Sequence, residues 1–162
     1  MADYIANFQS KVIDFTPTLD TTASTAGDVI ADFEKITFSQ VSSAITRGTI
    51  NGVTVIDKDD EGAEIDIIIS DKDDTTPPVL GTEGSAVSIS DADAATIIGT
   101  RNIPSGNYVD LIGNQVAKPD VHAPIPFDLN KNYLYIGLVT RGTPQYGTAS
   151  DLVLRFHVTI ES

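Results

Sequence analysis

Residues 151–161, DLVLRFHVTIE, alternate apolar and polar with period two, and few patterns restrict a fold so tightly. Leu152, Leu154, Phe156, Val158 and Ile160 fall on one side. Asp151, Val153, Arg155, His157, Thr159 and Glu161 fall on the other. Successive side chains of a β-strand point to opposite faces, so this segment is a strand with one buried and one wet face.

The same pattern recurs upstream. In NYLYIGLVT, residues 132–140, Leu134, Ile136 and Leu138 alternate with Tyr133, Tyr135 and Val139, so both faces are expected to be partly covered. The intervening RGTPQYGTAS carries Gly142, Pro144 and Gly147, which break regular structure. These two strands are expected to lie side by side or to be joined across two sheets. Placing the C-terminal strand in the middle of a sheet ties down an end that would otherwise fray. A further hairpin is predicted over residues 53–70, VTVIDKDDEGAEIDIIIS, with KDDEG as its turn. Weaker strands are predicted at 10–17, 29–38, 43–50, 86–90 and 107–113. SDADAATIIG reads as one helical turn, with Ser90 or Asp91 as N-cap and Gly99 at its end. Strands at roughly 8–15-residue spacing, with turn residues between them and little helical periodicity, define an all-β antiparallel sandwich or barrel.

A chain of 162 residues suits one domain, expected over residues 11–162 behind a flexible N-terminal arm at 1–10. A domain of this size hides roughly 70% of its extended-chain surface, so its core needs no disulfide or metal. There is no Cys. The formal charge of −13, with 10 basic residues scattered along the chain, argues against nucleic acid and anionic membrane as partners. Its plain physical consequence is solubility. MADYIANFQSKVIDF lacks the basic-then-apolar layout of a secretory signal, and no apolar run approaches the roughly 18 residues of a membrane span.

Candidate chemistry is sparse. In DKDDEG, Asp57, Asp59 and Glu61 alternate ahead of Gly62 like the start of a calcium loop, but Ile68 stands where the bidentate Glu belongs. These acids, like Asp71, Asp73 and Asp74, read as solvated turns, so no metal and no cofactor are expected. His122 and His157 are the two residues able to serve as base of a nucleophilic triad, and no G-x-S-x-G elbow accompanies them. No catalytic residue is expected. Without Trp, a sugar platform would rest on Tyr133, Tyr135 and Tyr146. Tyr4, Ile5 and Phe8 fall outside the strand alternation, and as apolar residues on an arm they are candidates for docking onto a partner.

Two segments resemble a group of small tailed-phage virion proteins. In TTASTAGDVIADFEKITF, residues 21–38, Gly27, Asp28 and Ile30 match an early G-D-x-I motif. In LYIGLVTRGTPQYGTASDLVLRFHV, residues 134–158, Leu138 to Pro144 and Tyr146 match a late L-V-T-R-G-T-P-x-Y motif. The resemblance implies a capsid decoration, or cement, protein: a jelly-roll-like sandwich bound as dimer or trimer outside an icosahedral shell, with the major capsid protein as partner. It implies no catalytic residues. On this reading the arm with Tyr4, Ile5 and Phe8, and the loop with Arg141 and Tyr146, are the contact elements, and the protein is made in the host cytoplasm. Removing residues 1–10 is expected to spare the fold and lower capsid occupancy. The alternative is a carbohydrate- or receptor-binding sandwich of a phage tail.

Overall fold

The computed structural model describes residues 8–38, 46–118, 124–129 and 131–161. The strands are β1 (Phe8–Phe15), β2 (Val29–Thr37), β3 (Thr46–Asp57), β4 (Ile65–Ser70), β5 (Ile97–Ile103), β6 (Tyr108–Asp110), β7 (Gln115–Ala117), β8 (Ile125–Leu129), β9 (Tyr133–Thr140) and β10 (Leu152–Glu161). One helical turn, α1 (Asp91–Ala94), precedes β5, and the Ser90 side chain caps it by accepting the Asp93 N–H, as predicted; it stops at Ala94 and not at Gly99, which pairs with Ile69 inside β5.

The strands form two antiparallel sheets. One runs β1-β10-β3-β7-β6, with β8 also paired to β3; the other runs β2-β9-β4-β5. The long β3 serves two partners, β8 along Thr46–Ile50 and β7 along Val55–Asp57. Setting the short β6–β7 hairpin aside, the orders are β1-β10-β3-β8 and β2-β9-β4-β5. Every link between the two quartets then crosses from one sheet to the other, apart from β4 to β5, and this is the double Greek key of a jelly roll. The expected all-β sandwich is therefore present, with a single α-helical turn among the described residues.

The alternation in β10 holds at every position: its five apolar residues are buried and their neighbours are half-exposed. They meet Ile65, Ile67 and Ile69 of β4 and Leu134, Ile136 and Leu138 of β9 in one core. Burying each such side chain contributes roughly 1.5–3 kcal/mol. Phe38 and Phe127 stack across the sandwich with centroids 5.3 Å apart. β10 lies between β1 and β3, and β9 between β2 and β4, so each ends up inside its own sheet.

Residues 53–70 do not form the predicted hairpin. β3 pairs with β10, and β4 pairs with β9 and β5 in the opposite sheet. Each strand carries one apolar face, and placing those faces against each other buries more than setting the strands side by side. The predicted strands at 43–50 and from 53 onward are one continuous β3, with residues 39–45 outside the described residues. Residues 86–90 are not a strand: apart from a single bridge from Ala86 to Asp28, they run as a covering loop. Phe8, Gln9 and Ser10, expected in the N-terminal arm, belong to β1 instead and pair with Glu161, Ile160 and Thr159.

The stretch between β4 and α1, residues 71–90, explains why β9 is apolar on both faces. Val29, Phe33, Leu80, Tyr135 and Val139 form a second cluster on the outer side of the four-stranded sheet. Leu80 is fixed there by its N–H, which donates to the Asp32 carboxylate at 2.6 Å. Gly137 makes the room: a Cβ at that position would come within 2.9 Å of the Leu80 side chain.

Candidate docking surface

The acidic turn and the β9–β10 loop, the two segments richest in candidate residues, are bound to each other. Asp57 ends β3 fully buried, and its carboxylate accepts the N–H groups of Asp59 at 3.0 Å and Gly62 at 2.8 Å. Asp59 reaches over to accept the Gly147 N–H at 2.6 Å, and Glu61 accepts the N–H of Gln145. Lys58 adds a backbone bond to Asp151 O at 2.8 Å and a side-chain bond to Ser150 O at 3.1 Å. Asp151 in turn accepts both the N–H and the hydroxyl of Thr148. Three carboxylates of DKDDEG thus face backbone N–H donors, and no three His, Cys, Asp or Glu converge as metal ligands among the described residues. Burial pushes the Asp57 carboxyl up, against the two N–H bonds that pull it down; burial also raises Glu61.

Tyr146 was expected at a loop tip facing a partner. It lies inside the core instead, 1% exposed, with its ring among the apolar residues and its hydroxyl pushed up first by burial, then by Asp57. The carboxylate clamp on Gln145 and Gly147 holds the loop so that the intervening side chain turns inward. A partner therefore does not reach Tyr146 in this arrangement. Arg141 is on the surface, where its guanidinium Nε bonds Asp66 at 2.6 Å and its backbone N–H donates to Glu64 O.

Of the arm residues, Tyr4 and Ile5 lie outside the described residues, as does His122. Phe8 opens β1 on the edge of the six-stranded sheet, 65% exposed and opposite Glu161. Val12, farther along the same outward side of β1, is also exposed. β1 is held to β10 by the Asp14 carboxylate and the Arg155 guanidinium at 2.7 and 3.0 Å. That hydrogen bond holds Asp14 below the usual carboxylate range.

His157 faces outward on β10, with Nε2 3.1 Å from the Thr54 hydroxyl. Tyr133 and Tyr135 pack edge to face at 5.9 Å, and both are engaged by Asp74. The Tyr135 hydroxyl donates to the Asp74 carboxylate at 2.6 Å, the Asp74 N–H donates to the Tyr133 hydroxyl, and Lys35 completes the knot at 2.9 Å. Tyr135 is buried, so the pair offers no open stacking platform for a sugar.

One surface feature went unrecognised in the sequence. Residues 108–117 form the β6–β7 hairpin, and around its turn Val109 is 62%, Leu111 57% and Ile112 94% exposed. Residues 107–113, NYVDLIG, read as a weak strand; the hairpin signal within them is an Ile-Gly pair where a tight hairpin ordinarily places Asn-Gly.

No family model matches the chain, and no curated protein matches it. Solved structures do superpose on it. A chain from Desmodium yellow mottle tymovirus overlaps 100% of this chain and 85% of its own length, at 9% identity and a TM-score of 0.32. A chain of the extra small virus VLP from the giant freshwater prawn Macrobrachium rosenbergii overlaps 99% and 82%, at 12% identity and 0.28. One from the full particle of Israeli acute paralysis virus heated to 63 degrees overlaps 98% and 72%, at 11% identity and 0.31. Overlaps this loose establish neither a family nor a function, and the jelly-roll assignment rests on the strand order above.

Proposed function

We propose that this protein is a structural component of a phage virion, bound to the outside of an icosahedral capsid and bridging neighbouring capsomers. The observation that carries the reading is the strand order, a jelly roll whose interior strands β9 and β10 include most of the tailed-phage-like segment at residues 134–158. That segment provides rigid frame: its loop is clamped by Asp59 and Glu61, and its apolar residues fill the core. A rigid, acidic, thiol-free sandwich suits a subunit that must persist on a shell while its surface elements bind.

Bridging follows from multivalency. Each subunit, as dimer or trimer, would bury surface against two neighbouring copies of the major capsid protein and against its sister subunits. Modest contacts made together then hold the shell tightly. No observation favours the phage-tail sugar-binding alternative, since the tyrosines it requires are engaged by Asp74 and by the core.

The test is co-sedimentation of the purified protein with empty shells, followed by heating of bare and coated shells. Saturable binding with a higher shell dissociation temperature is expected. A protein that stays in the supernatant at every concentration would sink the proposal.

A further inference from the structure

We infer that the β6–β7 hairpin is the docking knob of this protein, and that it inserts into an apolar hollow rimmed by Lys and Arg on the shell protein. This rests on the decoration reading above. Three observations converge on the hairpin.

The first is backbone strain. Leu111 N–H donates to Asn114 O at 2.8 Å, closing a two-residue turn in which Ile112 and Gly113 take φ values of 63° and 83°. Gly accepts that left-handed backbone freely, whereas a β-branched residue is strained in it and Asn would suit the place far better. The Asp110 carboxylate, accepting the Ile112 N–H at 2.7 Å, helps hold the turn. Strain retained at a fully exposed apolar residue serves no packing purpose inside this chain, and such strain concentrates at binding elements.

The second is continuity. Val153 on β10 stands opposite Ile56 on β3, Ile56 opposite Val116 on β7, and Val116 opposite Val109 on β6. Opposed residues share a face, so four β-branched side chains line up on the outer side of the sheet and lead to the free edge at β6. Each is at least partly exposed. The knob therefore extends an apolar strip and is no isolated exposed residue.

The third is charge. The turn holding Asp59, Asp60 and Glu61 lies against the hairpin, with Gln115 Nε2 donating to Asp60 O at 3.1 Å, and Asp110 lies within the hairpin itself. An apolar tip framed by acids on a chain of formal charge −13 complements a hollow framed by cations. A second copy of this chain would bring acids against acids, which disfavours it as occupant.

The experiment compares the full-length protein with Ile112→Asn on empty shells assembled from the major capsid protein, by co-sedimentation at two salt concentrations. Melting temperatures and light scattering are read on the same samples. Asn suits the left-handed turn, so the variant is expected to melt higher than wild type while binding at least tenfold more weakly. Wild-type binding is expected to weaken as salt rises. A variant that binds like wild type overturns the knob and leaves the decoration reading standing. Wild-type protein that ignores the shells overturns the decoration reading, and the knob with it. Wild-type oligomers that the variant dissolves into monomers, without shells present, make the occupant a second copy and overturn the assignment to the shell.

Discussion

The Asp59 carboxylate accepts the Gly147 N–H at 2.6 Å, joining two loops 88 residues apart in the chain. With Glu61 on Gln145 and Lys58 on Asp151, it makes the acidic turn a clasp on the loop that carries the chain from β9 to β10. Asp59→Ala should therefore loosen residues 145–148 and cost about 1 kcal/mol, the usual worth of one such hydrogen bond. Amide exchange at Gly147 should speed up while exchange in β10 stays slow. Equal exchange at Gly147 in both proteins would show that the bond holds nothing.

Because these carboxylates already face N–H groups, calcium and EDTA should leave the melting temperature unchanged. A rise of several degrees in millimolar calcium would contradict the clasp and point to a cation among the acids.

The pH response should divide by the direction of each shift. Asp14, Asp74 and Asp93 are lowered, chiefly by hydrogen bonds from Arg155, Tyr135 and Lys72. Their stabilisation is present above the ordinary carboxylate pKa near 3.8 and is lost as pH falls through their folded values. Asp57 is raised by burial, so its contribution runs the other way: fully present below 3.8 and lost as pH rises through its folded value. Compared with wild type, Asp57→Asn should thus fare better at pH 7 than at pH 3. Thermal melts of both proteins across that range check it, and a constant difference between them would refute it.

Tyr146 separates ring from hydroxyl. The ring fills core space, and the hydroxyl is buried with no hydrogen-bond partner among the described residues. Tyr146→Ala should cost about 3–5 kcal/mol, in the range of large aromatic truncations. Tyr146→Phe should be neutral or stabilising by about 1 kcal/mol, since it removes an unsatisfied polar group. Chemical denaturation of both variants measures the pair, and a destabilised Phe variant would reveal a partner for the hydroxyl.

Deleting residues 1–7 leaves β1 whole, whereas a cut at residue 10 would remove three residues of its pairing with β10. The shorter deletion should keep the wild-type melting temperature and lower shell occupancy if the arm is an anchor. Unchanged occupancy would leave the hairpin as the principal contact.

Period-two patterning is enough to give an all-β sandwich and to name the inward residues of its clearest strands. Period-two alternation in β10 and β4 names Leu152 to Ile160 and Ile65 to Ile69 as inward, because a strand has two faces and water accepts just one of them when the other is apolar. The helical turn at Ser90 was equally legible, since a cap is a local interaction. Which strand lies beside which was not legible. Alternation is blind to the neighbour, so β3 and β4, with their clear turn between, passed for a hairpin. β5 was missed because Ile97, Ile98 and Gly99 read as the end of the helical turn, and β8 because Pro126 interrupts its apolar run. The candidate surface was decided by tertiary structure for a related reason. Tyr146 and Ile112 are both apolar-sided residues in glycine-bearing turns, and local sequence treats them alike. Carboxylates contributed from another part of the chain turn Tyr146 into the core, while a two-residue hairpin at a free sheet edge leaves Ile112 no core to enter.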